Sequence, residues 1–272
     1  MSDQFTLALV GAGNMGGAML GGWLAEGIAP ELITIVDPSP PPAMMQLVSD
    51  NGIRHAIGAI EDYSPDVMVV AVKPQIMGAV LSGVAPMVGP QTVAVSVAAG
   101  TTLAALEVGL GGGEIAVVRT MPNTPALVRR GITVACPNRF VTACQRGQVD
   151  RLLGAIGSVE WVDEEKLIDA VTAVSGSGPA YVFHLAECMA QAGIAAGLPA
   201  DLAMKLARET VSGAGELMAR SPETPAKLRE NVTSPNGTTA AALSVLMGEQ
   251  AMEKLMMRAI AAAKKRSEEL SG

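Results

Sequence analysis

Short apolar runs alternate with helix-compatible stretches along the first half of the chain. The apolar runs are strand-length and cover residues 5–10, 32–36, 66–72, 92–98 and 114–120. Strands of this kind are usually covered on both faces, and their alternation with helices is typical of βαβ units. The pattern therefore predicts an α/β domain with a Rossmann-type parallel sheet, whose first helix runs from about Asn14 to Glu26.

The pattern changes near Asp163, where apolar residues begin to recur at helical spacing. Asp201 is expected to be an N-cap. The predicted helices span residues 178–199, 201–219 and about 249–270. The sequence thus predicts two domains, an α/β domain over residues 1–163 and an all-helical domain over residues 164–272.

Composition narrows the class of partner. The formal net charge is −7, and aromatic residues make up only 3% of the chain. Nucleic-acid binders need a basic surface or aromatic stacking platforms, so no nucleic-acid partner is expected. No stretch approaches the ~20 apolar residues of a membrane span, and the acidic, polar start is unlike a signal peptide.

The cysteines and histidines point to a reducing environment without a metal. Cys136, Cys144 and Cys188 form no CxxC pair, and His55 and His184 are isolated in the sequence. Neither a disulfide framework nor a metal site is therefore expected. The cytoplasm is the expected location.

A glycine-rich segment, GAGNMG, follows the first predicted strand and opens the first predicted helix. Gly11, Gly13 and Gly16 match the GxGxxG fingerprint of dinucleotide-binding folds. The first glycine allows a tight turn, the second lets the backbone approach a pyrophosphate, and the third lets helix and strand pack closely. The helix N-terminus adds free amides and a partial positive charge. This context favours a dinucleotide site over an ordinary tight turn.

Asp37 ends the second predicted strand. An acidic residue there can bind the ribose 2′-hydroxyl of NAD, and it would disfavour the 2′-phosphate of NADP. A role as a turn residue before Pro38 is an equal alternative. Arg54 and Lys73 are the nearest cations in the sequence that could offset a phosphate.

The loops after the later strands are expected to complete the cofactor site, because ligands bind at the carboxyl ends of parallel strands. These loops cover residues 71–75, 96–102 and 119–128. In the last of them, a stiff Pro-Asn-Thr-Pro segment presents the side chain of Asn123. The alternative for Asn123 is a structural role, closing an Asx-turn.

The ordered motifs GAGNMG, AVKPQ, RTMPNTP, SGSGPAY and VTSPNGTT resemble the pyrroline-5-carboxylate reductase family, over about residues 7–270. The resemblance implies NADPH- or NADH-dependent reduction of 1-pyrroline-5-carboxylate to L-proline, the last step of proline biosynthesis. It also implies a homodimer formed through the helical domain, with the substrate pocket shared between subunits and dimers that often assemble into rings. The cofactor residues that it implies are Gly11, Gly13, Asn14, Met15, Gly16, Ala71, Lys73, Pro74, Ala98, Ala99, Gly100 and Asn123.

Two departures from the family pattern bear on function. Asn236 stands where family members usually carry glycine, and asparagine tolerates a left-handed backbone better than most residues. Asp37 stands where the family commonly has a small or polar residue suited to NADP. The second departure favours NADH over NADPH.

The closing SPNGTT segment supplies what a carboxylate substrate needs, namely unpaired amides at the start of a helix. We assign the carboxylate to the backbone of Gly237 and Thr238, with Ser234 in support. Thr239 is the expected catalytic residue, its hydroxyl orienting the ring nitrogen of the imine. The alternative is simple N-capping by Thr238 or Thr239.

Two other functions compete with this interpretation. The β-hydroxyacid dehydrogenases also begin with a glycine loop and end in helices, but they use a catalytic lysine. Here Lys166 and Lys205 are the candidates, and neither lies in a comparable glycine-rich context. A non-catalytic NAD-binding protein would have no need of the SPNGTT segment.

Overall fold

An eight-stranded sheet dominates the computed structural model, which describes residues 4–271. The strand order is β3-β2-β1-β4-β5-β6-β7-β8, and every neighbouring pair is parallel except β6 and β7. The strands are β1 (Leu7–Val10), β2 (Ile33–Val36), β3 (Arg54–Ala56), β4 (Val67–Val70), β5 (Val93–Ser96), β6 (Ala116–Met121), β7 (Gly131–Pro137) and β8 (Gly157–Trp161).

Helices cover the sheet and then form the rest of the described chain. None of the described helices combines the length and the hydropathy needed to cross a bilayer. The helices are α1 (Asn14–Ala25), α2 (Pro42–Asp50), α3 (Met77–Val84), α4 (Leu103–Gly109), α5 (Ala143–Gly154), α6 (Leu167–Val171), α7 (Gly178–Ala195), α8 (Ala200–Arg220), α9 (Pro225–Asn231), α10 (Thr238–Leu246) and α11 (Met252–Ser271).

The sheet is buried on both faces, as its uninterrupted apolar strands predict. Alternate residues of β1 serve two different cores: Leu7 and Leu9 pack into one, and Ala8 and Val10 into the other. This division follows from the two-residue period of a strand. Trp23 of α1 joins the first core and donates its indole N–H to a buried carbonyl oxygen of α5 at 2.9 Å. The predicted α/β fold is confirmed.

Four strands lie within the predicted runs and β6 extends one residue beyond its run, whereas β3, β7 and β8 were not predicted. β3 is a three-residue edge strand, and β8 alternates between half-buried and exposed positions. Neither has the continuous apolar run by which the other strands were found. β7 pairs antiparallel with β6, which differs from the parallel pairing predicted throughout. A tight 3₁₀ turn at Thr124–Val128 reverses the chain between these strands.

Two compact units divide the chain. The first extends to Gly176 and includes the chain from Lys264 onward, and the second is Ser177–Ala263. The predicted division at residues 163 and 164 lies earlier. The difference arises because residues 164–176 pack with the sheet, where Ile168 joins a small apolar cluster with β7.

Two details of the predicted helices are also different. Pro199 precedes the first residue of α8 as its N-cap, and Asp201 lies inside the first turn. A carboxylate in the first turn still favours the helix dipole, so the predicted cap was displaced by two residues. The end of α11 is rich in charged residues, yet Ser267 is buried there and donates to the Asp169 carboxylate at 2.7 Å.

The second unit exposes a large apolar surface. Its helices α7 and α8 pack closely through small residues, with Ala190, Ala203 and Ala207 buried. Large side chains such as Phe183 (65% exposed) and Met247 (59% exposed) are left open in the single chain. Apolar patches of this kind mark a surface that a partner covers.

Candidate functional site

The glycine loop between β1 and α1 has a geometry that only glycine allows at two positions. Gly11 has a φ of +90°, and a Cβ there would lie 2.9 Å from the carbonyl oxygen of Ala71. A Cβ on Gly16 would collide with the carbonyl oxygen of Gly11. Both positions are therefore closed to side chains, as the tight turn and the close packing of helix and strand require.

Gly13 differs, because a Cβ there would meet no atom within 4 Å. It is the N-cap of α1 and supplies no side-chain cap. The backbone N–H groups of Asn14, Met15 and Gly16 have no acceptor within the described chain. Free amides below an open space are what a pyrophosphate needs, so the loop fits a dinucleotide.

Asp37 is fixed beside this loop. Its Oδ2 accepts the Ala12 N–H at 2.7 Å, and its Oδ1 accepts the Ser39 N–H at 2.8 Å. The bond to Ser39 shows that the turn alternative is correct. Each carboxylate oxygen still has a free lone pair, so the carboxylate can also accept a ribose hydroxyl. That second role stays a prediction.

A cavity of about 330 Å³ opens next to Asp37. Its lining is mainly apolar, from side chains such as Ile57, Val72 and Ile76, and the described residues that line it include no lysine or arginine. Arg54 instead stacks over the ring of Tyr63, 5.3 Å from its centroid. The cavity suits an apolar heterocycle such as adenine, with one carboxylate at its edge.

The loops after β4 and β5 lie at the same edge of the sheet as the glycine loop, because β1, β4 and β5 are neighbours. The loop after β4 carries Ala71, Lys73 and Pro74, and the loop after β5 carries Ala98, Ala99 and Gly100. The structure thus brings the predicted cofactor loops together. Their individual contacts with a cofactor stay predictions.

Asn123 has a structural role that the sequence did not reveal. Its Oδ1 accepts the Ile132 N–H at 2.9 Å, and its Nδ2 donates to the Ser175 carbonyl oxygen at 3.2 Å. These bonds replace the Asx-turn that was the alternative. A cofactor contact from its side chain would have to come from the second amide hydrogen or from the second lone pair of Oδ1.

The SPNGTT segment forms a turn that leads directly into α10. The Gly237 N–H donates to the Ser234 carbonyl oxygen at 3.1 Å, and Asn236 has a φ of +59°. Proline at the second position and a left-handed residue at the third are typical of a type II turn. The turn therefore survives with asparagine in place of the family's usual glycine.

This turn corrects one part of the carboxylate assignment. The N–H of Gly237 is already bonded, so it is not free to bind a substrate. The donors without an acceptor among the described residues are the backbone N–H groups of Thr238, Thr239 and Ala240. The Ala240 amide was not predicted as a donor. It could have been, because the first N–H groups of a helix that begins at Thr238 have no acceptor within the helix.

The N-capping alternative for the threonines is wrong. Gly237 is the N-cap of α10, and no side chain caps the helix. The structure shows no hydrogen bond from the hydroxyl of Thr238 or Thr239 to any described residue, and Thr239 is half-buried. The start of this nine-residue helix therefore presents three amide N–H groups and two hydroxyls that have no partner in the described chain and can bind a ligand.

No titratable group lies in the turn itself, and the notable pKa shift lies elsewhere. Burial raises the pKa of the Cys136 thiol, and the nearby Glu165 carboxylate raises it further. Cys136 is a buried residue of β7, in the first unit. Within the described residues, no group of three His, Cys, Asp or Glu side chains is placed to hold a metal.

A glycine loop at the head of a mostly parallel sheet, with neighbouring loops at the same edge, defines a dinucleotide-binding protein of the Rossmann type. The comparisons with known proteins identify the family. The family model "Pyrroline-5-carboxylate reductase dimerisation" matches residues 165–270, and "NADP oxidoreductase coenzyme F420-dependent" matches residues 6–100.

Relatives along the whole chain are more specific. The pyrroline-5-carboxylate reductase of Pseudomonas aeruginosa is 43% identical over 97% of this chain and 96% of its own length. A solved reductase from Coxiella burnetii has a TM-score of 0.91 at 31% identity, covering 99% of this chain and all of that one. The enzyme from Plasmodium falciparum, solved with NADP bound, has a TM-score of 0.80 at 29% identity, covering 99% of each chain. The chain belongs to the pyrroline-5-carboxylate reductase family.

Proposed function

We propose that this protein catalyses the NADPH- or NADH-dependent reduction of 1-pyrroline-5-carboxylate to L-proline, the last step of proline biosynthesis. The observation that carries the proposal is the uncapped start of α10, where three backbone amides lack an acceptor within the described chain. The family assignment favours this function over a β-hydroxyacid dehydrogenase or a non-catalytic NAD-binding protein.

The amides of Thr238, Thr239 and Ala240 are the groups that we assign to the substrate carboxylate. Each charge-assisted hydrogen bond contributes about 1.5–3 kcal/mol, and the helix dipole adds to the attraction. Ser234 is exposed at the rim of the turn and supports the carboxylate from its hydroxyl. Because the amides carry no titratable charge, their affinity for the anion does not depend on their own protonation.

Thr239 is the residue that we place on the ring nitrogen. A protonated imine already carries the positive charge that draws a hydride, and the product amine keeps that proton. The protein therefore needs to orient the ring and exclude water, which is catalysis by proximity. When bound, NADH or NADPH supplies the hydride to C5 of the ring.

The amide-lined start of α10 and the dinucleotide loop belong to different units of the chain. The reaction requires C5 of the substrate to meet C4 of the nicotinamide. We propose that subunits of a homodimer share the pocket, which is the arrangement that the family resemblance implies. The family resemblance also implies a ring of dimers, which we propose as the larger assembly. We propose the cytoplasm as the location, since the cysteines of the described chain are all free.

NADH is the cofactor that we propose as preferred. The Asp37 carboxylate is held by two backbone amides, so it cannot easily turn away from a 2′-phosphate. No cation lines the described part of the adjacent cavity to offset that repulsion. We expect Asp37→Ser to lower the ratio of kcat/KM for NADH to that for NADPH, whereas Asp50→Asn at the exposed end of α2 leaves it unchanged.

The experiment that tests the proposed function is a comparison of substrates. Oxidation of NADH and, separately, of NADPH is followed with 1-pyrroline-5-carboxylate, and a β-hydroxyacid is assayed in the oxidative direction with NAD⁺ and with NADP⁺. We expect turnover with the imine alone. Turnover with the hydroxyacid alone would support the competing dehydrogenase, and turnover with neither would support a non-catalytic protein.

A further inference from the structure

Arg119 is a buried charge that the proposed reaction does not use. It lies on β6, where its Nη1 is 2.8 Å from Glu165 Oε1 and its Nη2 is 4.0 Å from Asp169 Oδ1. Its Nε has no partner among the described residues. Because a buried guanidinium is costly unless it is paired, the two carboxylates bind the segment around α6 firmly to the sheet.

Glu165 also holds the start of helix α4. The same Oε1 atom accepts the Leu103 N–H at 2.7 Å. Leu103 is the first residue of α4, and it follows the loop of residues 97–102 that leaves β5. A carboxylate on an orphan amide of a helix start is a charge-assisted hydrogen bond. Glu165 therefore fixes the far end of this loop.

The last turn of α11 supports the loop at its middle. Gly100 has a φ of +75°, and a Cβ there would lie 3.2 Å from the carbonyl oxygen of Leu270. The turn is itself fastened to the buried cluster, because Ser267 Oγ donates to Asp169 Oδ1 at 2.7 Å. The loop is thus hydrogen-bonded at its far end to Glu165 and lies against the backbone of α11 at its middle, and both contacts belong to one connected set of residues.

We propose that Arg119, Glu165, Asp169 and Ser267 form a positioning cluster for the loop of residues 97–102. The inference rests on the proposed function, in which residues 98–100 line the cofactor site. In the sheet, β5 and β2 lie on opposite sides of β1. Since Asp37 at the end of β2 faces the adenine ribose in that function, the loop after β5 lies towards the nicotinamide. The glycine loop binds the pyrophosphate separately, so loosening the cluster should disturb the placement of the nicotinamide more than the affinity for the cofactor. A displacement of about 1 Å can lower a rate by about 10²-fold.

The first test is hydrogen exchange in the cofactor-free protein. In Glu165→Gln, the amides of residues 97–106 should exchange about tenfold faster than in the wild type. The control is Glu164→Gln, since Glu164 is the exposed neighbour and its carboxylate pairs with the exposed Lys166. Ser267→Ala removes no charge, and it should also make the amides of residues 97–106 exchange faster. This variant therefore provides the test if Glu165→Gln does not fold.

The second test separates positioning from simple stabilisation. At a temperature well below Tm, kcat should fall about tenfold in Glu165→Gln while the Kd for NADH stays within about twofold. The kinetic isotope effect with NADH deuterated at C4 should rise, because hydride transfer becomes more rate-limiting. A folded variant with a lower Tm but unchanged exchange, kcat and isotope effect would overturn the proposal. A wild type that fails to reduce 1-pyrroline-5-carboxylate would defeat the proposed function, while the exchange result would still decide whether the cluster holds the loop.

Discussion

At the scale of single residues, the hydroxyl of Thr239 is the side-chain group on which the proposed chemistry depends most. Thr239→Ala keeps the backbone N–H and removes only the hydroxyl. We expect kcat/KM for the imine to fall about 10–100-fold, as for the loss of a hydrogen bond to a charged group. The Kd for NADH should be unchanged. Ser244→Ala is the matched control, because Ser244 lies on the same helix and its hydroxyl donates to the Ala241 carbonyl within that helix.

A wild-type value of kcat/KM in Thr239→Ala would remove that residue from the mechanism. It would leave the carboxylate assignment standing, because the amides of α10 are still present in the variant.

Gly13 allows a test of the cofactor loop that does not disturb the fold. A methyl group there meets no protein atom, but it would occupy the space above the free amides of α1. We expect Gly13→Ala to keep its Tm and to raise KM for NADH by about tenfold or more, equal to ~1.4 kcal/mol or more. Gly21→Ala in the same helix should gain up to ~1 kcal/mol of stability and keep its KM. An equal KM for NADH in the two variants would contradict the placement of the pyrophosphate at the glycine loop.

Substitutions at Asn236 test whether the left-handed turn before α10 is needed for stability and activity. Its backbone is left-handed, a conformation that costs most residues about 1–2 kcal/mol. Asn236→Ala should therefore lose about 1 kcal/mol of stability and lower kcat/KM for the imine, because the turn sets the start of the helix. Asn236→Gly should keep both properties. Thermal unfolding and steady-state kinetics of the two variants give the comparison.

Cys136 makes a pH-dependent contribution to stability. Its pKa is raised above the ordinary value of 9.0, so the folded state disfavours the thiolate that the unfolded state forms freely. The contribution is fully present below pH 9.0 and is lost as the pH rises through the folded pKa. As the pH rises above 9.0, the unfolding free energy should fall more steeply in the wild type than in Cys136→Ala. Parallel pH profiles from urea denaturation would show that this thiol is not responsible.

At the scale of elements, apolar continuity was the signal that predicted the fold. It revealed β1, β2, β4, β5 and β6, whose residues are buried almost throughout. β8 has no such run, because two of its five residues are exposed and the strand is held by pairing with β7. Pairing between distant segments leaves no mark in local periodicity, so β8 could not be predicted. β7 differs, because it is buried almost throughout and its apolar run could have been recognised.

The elements of the candidate site were predictable to different degrees. The glycine loop and the start of α10 are local features, and both were located from sequence. The bond from the Gly237 amide to Ser234 was also local, but only the observed turn type revealed it. The cluster around Arg119 joins segments that lie far apart in sequence, so no motif could reveal it.

At the scale of the whole molecule, the exposed apolar surface of the second unit should bury itself against a second copy. Phe183 is 65% exposed on α7 in the single chain. A charge there would have to be desolvated at the interface, which is costly. We expect Phe183→Glu to shift the mass measured by light scattering to that of a monomer and to abolish turnover. Lys227→Glu, at an exposed polar position of α9, should leave the mass unchanged.

The central claim is that uncharged amides at the start of α10 bind the carboxylate of the substrate. A crystal structure of the protein with NADH and L-proline, the product, tests it most directly. We predict that the proline carboxylate lies within hydrogen-bond distance of the N–H groups of Thr238, Thr239 and Ala240. A carboxylate bound instead by a lysine or arginine side chain, with these amides facing water, would contradict the account.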